Sequence, residues 1–172
     1  MASGRSSPTC GAQTAACPPT SRPDSHGRPR CGVRTALHIP ANAGEHAAAI
    51  EAILRRVPDG WGRWLSVDAG WYPLVIATDR RLAEIDPGYV VHQIKEKFGT
   101  LRYYCAAGSD DPRREVLDAL DAVTEEAERF SALTCERCGD PGILRRTRYW
   151  AKTLCTPCGD GLGYMPASDW VQ

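Results

Sequence analysis

Between Glu45 and Val57 the apolar residues Ala49, Ile50, Ile53, Leu54 and Val57 recur at helical spacing, and Pro58-Asp59-Gly60 ends the run. This predicts a first helix. Trp61, Trp64, Leu65 and Val67 follow, and Trp71-Tyr72-Pro73 opens a second periodic stretch through Leu74, Thr78, Leu82 and Ile85. Proline suits the first helical turn, where its missing N–H would have no partner, and Asp86-Pro87-Gly88 stops the helix. The period then shortens to two. Val90, His92 and Ile94 alternate with Val91, Gln93 and Lys95, which is strand patterning with His92 on the inward face. Leu101 to Cys105 makes a second short strand, and Gly99 in the connection predicts a hairpin. Lys95-Glu96-Lys97 is simplest as a solvated strand end, and Cys105 as a small buried hydrophobe.

Asp111-Pro112 has the form of an N-cap followed by proline at the first helical position. In the helix it predicts, Val116, Leu120, Val123, Ala127 and Phe130 line one face, while Asp118, Asp121, Glu125 and Glu128 lie largely elsewhere. The stripe is two heptads long, too short for a coiled coil and right for a helix packed on its own sheet.

That helix runs almost without a linker into Cys135, and here the pattern becomes chemical. Cys135, Cys138, Cys155 and Cys158 form two Cys-x-x-Cys pairs with sixteen residues between them. Two intervening residues let the chain turn both sulfurs of a pair toward one ion, and a second pair completes a tetrahedron. The set predicts a structural Zn2+ site, since no position is left open for water or substrate. Gly139 and Gly159 after the second cysteine of each pair permit the tight turn of a zinc knuckle. Residues 143–148 and 149–154 can form a hairpin between the knuckles. Two disulfides or a dithiol redox site are the alternatives; Cys-Thr-Pro-Cys resembles an oxidoreductase motif, but that chemistry needs a helix after it, which Gly159-Asp160-Gly161 disfavours. Gly159, Gly161, Gly163 and Pro166 also disfavour the long helix of a treble clef, so a zinc-ribbon-like form is expected.

Composition adds bounds. The chain has 172 residues, 42% apolar and 24% charged, with Lys and Arg at 21 balancing Asp and Glu at 21. A soluble protein with no global preference for nucleic acid or membrane is expected. The longest purely apolar run, Leu74 to Ala77, is far below the roughly 20 residues needed to span a bilayer, and no secretory signal is visible. The cysteines outside the two pairs, Cys10, Cys17, Cys31 and Cys105, have no framework-like spacing, which favours a reducing cytoplasm. Residues 1–35 carry five Arg and one Asp among small and polar residues and read as a disordered basic tail, or as the product of a misassigned start with Val33 a candidate by position. Residues 36–133 then form a small α+β domain and 134–172 the metal module.

Candidate binding residues fall in two groups. Arg137, Arg145, Arg146, Arg148 and Lys152 accompany Tyr149 and Trp150 on the metal module, a set able to meet phosphates and stacked bases. Over residues 135–158 the cationic surplus is three, and four thiolates with one Zn2+ reduce it to about one. Trp61, Trp64, Trp71 and Tyr72 form an aromatic cluster that reads first as core and second as a surface for a partner. An enzyme is disfavoured. There is no His-Glu-x-x-His, phosphate loop, nucleophile elbow, deaminase signature or nuclease histidine set.

The strings Gly70-Trp-Tyr-Pro-Leu74 and Ile94-Lys-Glu-Lys-Phe-Gly-Thr-Leu-Arg-Tyr103, the acidic helix ending in Cys135-x-x-Cys138, and Thr153-Leu-Cys155-x-x-Cys158 resemble those of small bacterial and phage proteins of uncharacterised activity. The resemblance covers roughly residues 60–160 and implies a compact intracellular domain with a metal-binding end. Together these readings predict an α+β fold, helices on a short antiparallel hairpin with a C-terminal four-cysteine zinc-ribbon-like module. The expected role is binding. A protein partner ranks first, in a regulatory or phage-linked setting; nucleic acid bound through the Arg-rich hairpin 143–152 ranks second, and an enzyme with unidentified residues third.

Overall fold

The computed structural model describes residues 36–169. The expectations for residues 1–35, with Cys10, Cys17 and Cys31, lie outside them. After a single 3-10 turn at Gly44–His46, α1 (Ala47–Arg55) buries Ile50, Ile53 and Leu54 as the periodicity predicts. A two-residue strand β1 (Leu65–Ser66) leads through a 3-10 turn at Ala69–Trp71 into α2 (Tyr72–Ile85), which carries Pro73 in its first turn and buries Tyr72, Val75, Ile76, Thr78 and Leu82. β2 (Val90–Lys97) and β3 (Thr100–Ala106) form the predicted antiparallel hairpin, and β1 joins it in parallel with Leu65 opposite Ile94. α3 (Arg114–Ser131) lies across β3 and α2. Trp71, Val75, Leu82, Val91, Ile94, Leu101, Leu120 and Val123 meet in the core between them.

Three local expectations are corrected. His92 is not an inward strand residue. The register shifts between Val91 and Gln93, so that His92 is the extra residue of a bulge; Val91 and Ile94 are the buried pair, and the His92 ring stacks on Trp61 with centroids 4.9 Å apart. The cap of α3 is Arg113, not Asp111. Its backbone is still extended (φ −63°, ψ 147°), and Asp111 is held in a turn upstream, its N–H donating to Ser109 Oγ. The α3 stripe ends on Ser131, not Phe130, which is 54% exposed. Ser131 Oγ accepts the Leu101 N–H at 2.8 Å and donates to the Glu128 carbonyl at 2.6 Å, a pairing that an aromatic ring at that position could not supply.

The hairpin tip of β2 and β3 is a two-residue loop, Phe98-Gly99, with φ of +55° and +84°. Two positive φ values match the primed turns whose twist suits a tight hairpin, and whose usual first residue is Asn, Asp or Gly. Gly99 is required. It is buried, and a Cβ there would strike Leu144 and sit 3.4 Å from the Lys152–Thr153 peptide. Phe98 is the only non-glycine residue with positive φ among those described, a conformation that costs an L-residue about 1–2 kcal/mol.

The C-terminal part contains β4 (Ile143–Arg146), β5 (Ala151–Leu154), a short α4 (Thr156–Leu162) and β6 (Met165–Pro166), with an antiparallel sheet in the order β5-β4-β6. The expectation that Gly159-Asp160-Gly161 disfavours a helix here is corrected, since α4 runs through all three residues, although at seven residues it is not the long helix the glycines predict against. It forms despite Gly159 and Gly161 because its ends are well specified. Cys155 caps it in an extended conformation, Pro157 occupies the first turn, and Gly163 closes it at φ +72°. The architecture is α+β, with two small three-stranded sheets and four helices among the described residues.

Candidate metal centre

The first cysteine pair sits on a tight turn directly after α3. Cys135 N–H donates to the Asp140 carbonyl at 2.7 Å, Gly139 N–H donates to the Cys135 carbonyl at 2.9 Å, and Gly139 takes φ +86° to close the turn. The second pair straddles the start of α4, where Gly159 N–H donates to the Cys155 carbonyl at 2.9 Å. The hairpin of β4 and β5 folds back and brings the two pairs together. All four Sγ atoms lie within 4.8 Å of one another, and Cys138 Sγ is 3.5 Å from Cys155 Sγ. A tetrahedral ion with M–S near 2.3 Å requires S···S edges of about 3.8 Å, so the four sulfurs already have the spacing of a closed four-thiolate shell. None of the four is in a disulfide.

The local field favours thiolate at Cys135 but not at Cys138 or Cys158. Burial alone would push the Cys135 thiol up, but the backbone amides of Cys155, Cys138 and Arg137 aimed at its sulfur bring it down to about 7. At Cys138 the Asp140 amide acts downward, yet burial and hydrogen bonds to the other three thiols outweigh it and hold the proton far above the ordinary thiol range. Cys158 is likewise raised, first by its bond to Cys155 and then by burial. A metal ion must therefore displace protons from the set. Uptake by reduced protein in weak buffer is expected to release protons and to weaken as pH falls below 7, which an indicator-dye titration measures.

The centre is not a free-standing appendage; its first turn is docked on the start of α2. Gly70 N–H donates to the Glu136 carbonyl at 2.8 Å, Asp68 N–H to Glu136 Oε1 at 3.2 Å, and Trp71 Nε1–H to the Thr134 carbonyl at 2.8 Å. Gly70 is held so close that a Cβ would come within 2.6 Å of the Cys138 amide nitrogen, and closer still to the Cys135 carbonyl oxygen and the Gly139 amide nitrogen. The Gly-Trp-Tyr-Pro string thus has a physical role: glycine admits the turn, tryptophan holds its carbonyl, and tyrosine and proline begin the helix. Glu136, between the two cysteines, is 1% exposed and carries the Lys152 ammonium on Oε2 at 2.6 Å. Burial pushes its carboxyl up and Lys152 opposes the shift. Glu136→Ala should lower stability by about 3 kcal/mol, because it leaves the Asp68 amide without its acceptor and the partly buried Lys152 ammonium with only the longer contact to the exposed Asp68 carboxylate at 3.5 Å. Glu136→Gln, which retains an acceptor, should cost less; urea titration of the two variants measures the difference.

The predicted basic set divides. Arg145 is 3% exposed and lies across α4, donating to Thr156 Oγ1 at 2.9 Å and, from Nη1, to Asp160 Oδ1 and the Tyr164 carbonyl at 3.2 Å. Lys152 is engaged by Glu136 and Asp68. Neither is available to a ligand, because Arg145 is itself buried with its guanidinium bonded across α4 and Lys152 is bonded to the buried Glu136. Arg137, Arg146, Arg148, Tyr149 and Trp150 are exposed. The aromatic cluster divides too. Trp71 and Tyr72 are buried and present no surface to a partner, whereas Trp61 and Trp64 are each 49% exposed.

Sequence reasoning missed Glu136, whose burial between two metal-type cysteines has no local signature, and the docking role of Gly70, visible only as a glycine before a buried tryptophan. It also missed a polar network at the far end of α2. Tyr89 OH donates to Asp79, lies 2.9 Å from Tyr103 OH, and the Asp79 carboxylate also holds Arg56 Nε at 2.9 Å. Burial raises both tyrosines, so they stay protonated and serve as hydrogen-bond donors within the core. Among the described residues no helix is long and apolar enough to cross a membrane. Comparison with protein-family models, curated protein sequences and solved structures finds no match.

Proposed function

We propose that the chain is a zinc-stapled cytoplasmic binding protein, in which Cys135, Cys138, Cys155 and Cys158 hold one structural Zn2+ and the exposed hairpin tips carry the recognition surface. The observation that carries this reading is the closed set of four sulfurs within 4.8 Å, all supplied by cysteine and docked on the core through Gly70 and Glu136. Such a shell offers no coordination position to a substrate, which favours a structural over a catalytic role. Zinc is the natural occupant because soft thiolates in tetrahedral array select it over oxygen-preferring cations. The resemblance to small bacterial and phage proteins fits an intracellular binding role of this kind. Metal analysis of reduced protein should find one zinc per chain, and cobalt substitution should give the absorption of a tetrahedral thiolate site. A protein purified reduced, folded and metal-free would sink the reading.

Both partner classes remain compatible with exposed Trp, Tyr and Arg, which serve protein interfaces as well as nucleic-acid surfaces. The charge around the hairpin tips favours nucleic acid.

A further inference from the structure

The Phe98-Gly99 tip of the first hairpin packs against the strands of the second. Thr153 Oγ1 donates to the Gly99 carbonyl at 2.6 Å, and beside this contact Phe98, Arg146, Arg148, Tyr149 and Trp150 line an open groove of about 370 Å3. Phe98, Tyr149 and Trp150 are 72%, 77% and 69% exposed. No carboxylate lines the groove, and among the described residues Arg146, Arg148 and Lys97 enter no ion pair. Arg148 lies 5.4 Å from the Tyr149 ring centre and Lys97 5.4 Å from that of Phe98. Cationic groups therefore flank exposed rings.

Resting on the proposal of a zinc-stapled binding protein, we propose that this groove binds single-stranded nucleic acid, its bases stacking on Phe98, Tyr149 and Trp150 and its phosphates meeting Arg146 and Arg148. Two observations argue for this occupant. The first is Phe98 itself. It holds a left-handed turn position suited to Asn or Gly, yet its ring is left in solvent, so the strained residue gives nothing back to its own core. An exposed π-face beside a cation is what a base stacked next to its phosphate requires. The second is charge separation. A surplus counted over residues 135–158 merges the tip with the thiolates, but β5 at about 3.3 Å per residue carries Trp150 roughly 15 Å from Cys155, beyond the ~10 Å Debye length at 0.1 M salt. Among the described residues Arg146 and Arg148 enter no ion pair, while Arg145 and Lys152 are paired at the base and the Glu96 carboxylate near the β2–β3 tip is engaged by the Gly99 N–H at 2.6 Å. Single strands are favoured over duplex because rings can stack only on bases freed from pairing.

The test is fluorescence polarisation of labelled oligo-dT and oligo-U of about 12 nucleotides, within the span of one small single-strand site, titrated with full-length zinc-loaded protein at about 50 mM salt. Binding should exceed that of a duplex of the same length. Trp150→Ala and Phe98→Asn should each weaken it about tenfold, and Phe98→Asn should at the same time leave the melting temperature unchanged or raised. Replacing Arg146 and Arg148 by Gln should reduce the slope of log K against log salt by about 0.7 per arginine. The proposal is overturned by folded, zinc-containing protein that binds no oligonucleotide, which would assign the groove to a protein contact. Equal or tighter duplex binding, affinity indifferent to Phe98→Asn and Trp150→Ala, or a lowered melting temperature in Phe98→Asn would overturn it as well. Zinc content measured on the same samples separates this failure from failure of the metal reading.

Discussion

Cys138→Ser, or chelation of the wild type under reducing conditions, is expected to unfold everything from Leu133 to Pro166 and to lower the melting temperature of the remaining core by about 15 °C. Zinc binding contributes an apparent 10–16 kcal/mol in small zinc peptides, comparable with the entire 5–15 kcal/mol stability of an ordinary domain. The C-terminal part has little else to hold it. Its own buried hydrophobic cluster consists of Cys135, Leu154 and Cys155, two of them ligands. The effect on the core follows from what the first turn supplies to α2: hydrogen bonds to Gly70 N–H, Asp68 N–H and Trp71 Nε1–H, each contributing about 1 kcal/mol. Losing three of them amounts to about 3 kcal/mol, and each kcal/mol shifts the melting point of a core the size of residues 36–132 by about 4–8 °C. Thermal melts followed by circular dichroism, with and without chelator, read both parts. Helical signal from α1, α2 and α3 should persist at low temperature after the metal is gone.

Gly70→Ala is the second large effect, and it acts on the metal site from outside the coordination shell. The added methyl would overlap three backbone atoms of the Cys135–Gly139 turn, and backbone cannot swing away as the end of a side chain can. Overpacking in a well-packed core costs about 1–3 kcal/mol and more where relief requires the main chain to move, so a loss of at least about 3 kcal/mol is expected. Zinc affinity should fall with it, because the atoms displaced include the Cys138 amide and the Cys135 carbonyl. Competition against a chromophoric chelator measures that loss. Unchanged affinity and stability in Gly70→Ala would mean that the first turn is not seated on α2 as described.

The fold was largely legible where one periodicity ran undisturbed. Ile50, Ile53 and Leu54, then Thr78 and Leu82, and then Leu120, Val123 and Ala127 face the core as their spacing predicts, whereas Leu74 and Ile85 are only half-buried and Val75, which the spacing does not single out, is fully buried. The strand pattern failed at His92 because a bulge changes the face of every residue after it, and a bulge has no signal in period-two counting. Phe130 failed because the end of α3 answers to a backbone amide, Leu101 N–H, and needs a hydroxyl there. The four cysteines were legible through spacing alone. Which cations were free was not, because Arg145 and Lys152 look like Arg146 and Arg148 in the sequence; only the fold brings Asp160 to the first and Glu136 to the second. Phe98 was hidden in a strand-end motif, and only its φ of +55° distinguishes a ring held out from a ring left over.

The central claim is that the four-cysteine centre and the start of α2 form one structural unit. Amide hydrogen exchange of the full-length protein, compared before and after zinc removal, tests it most directly. Protection should be lost both across Cys135–Tyr164 and at Asp68 and Gly70, whose amides donate to Glu136 and which sit far from the cysteines in sequence, while Val91, Ile94 and Leu120 keep theirs. Loss confined to the cysteine-bearing segment, with Asp68 and Gly70 still protected, would contradict the account.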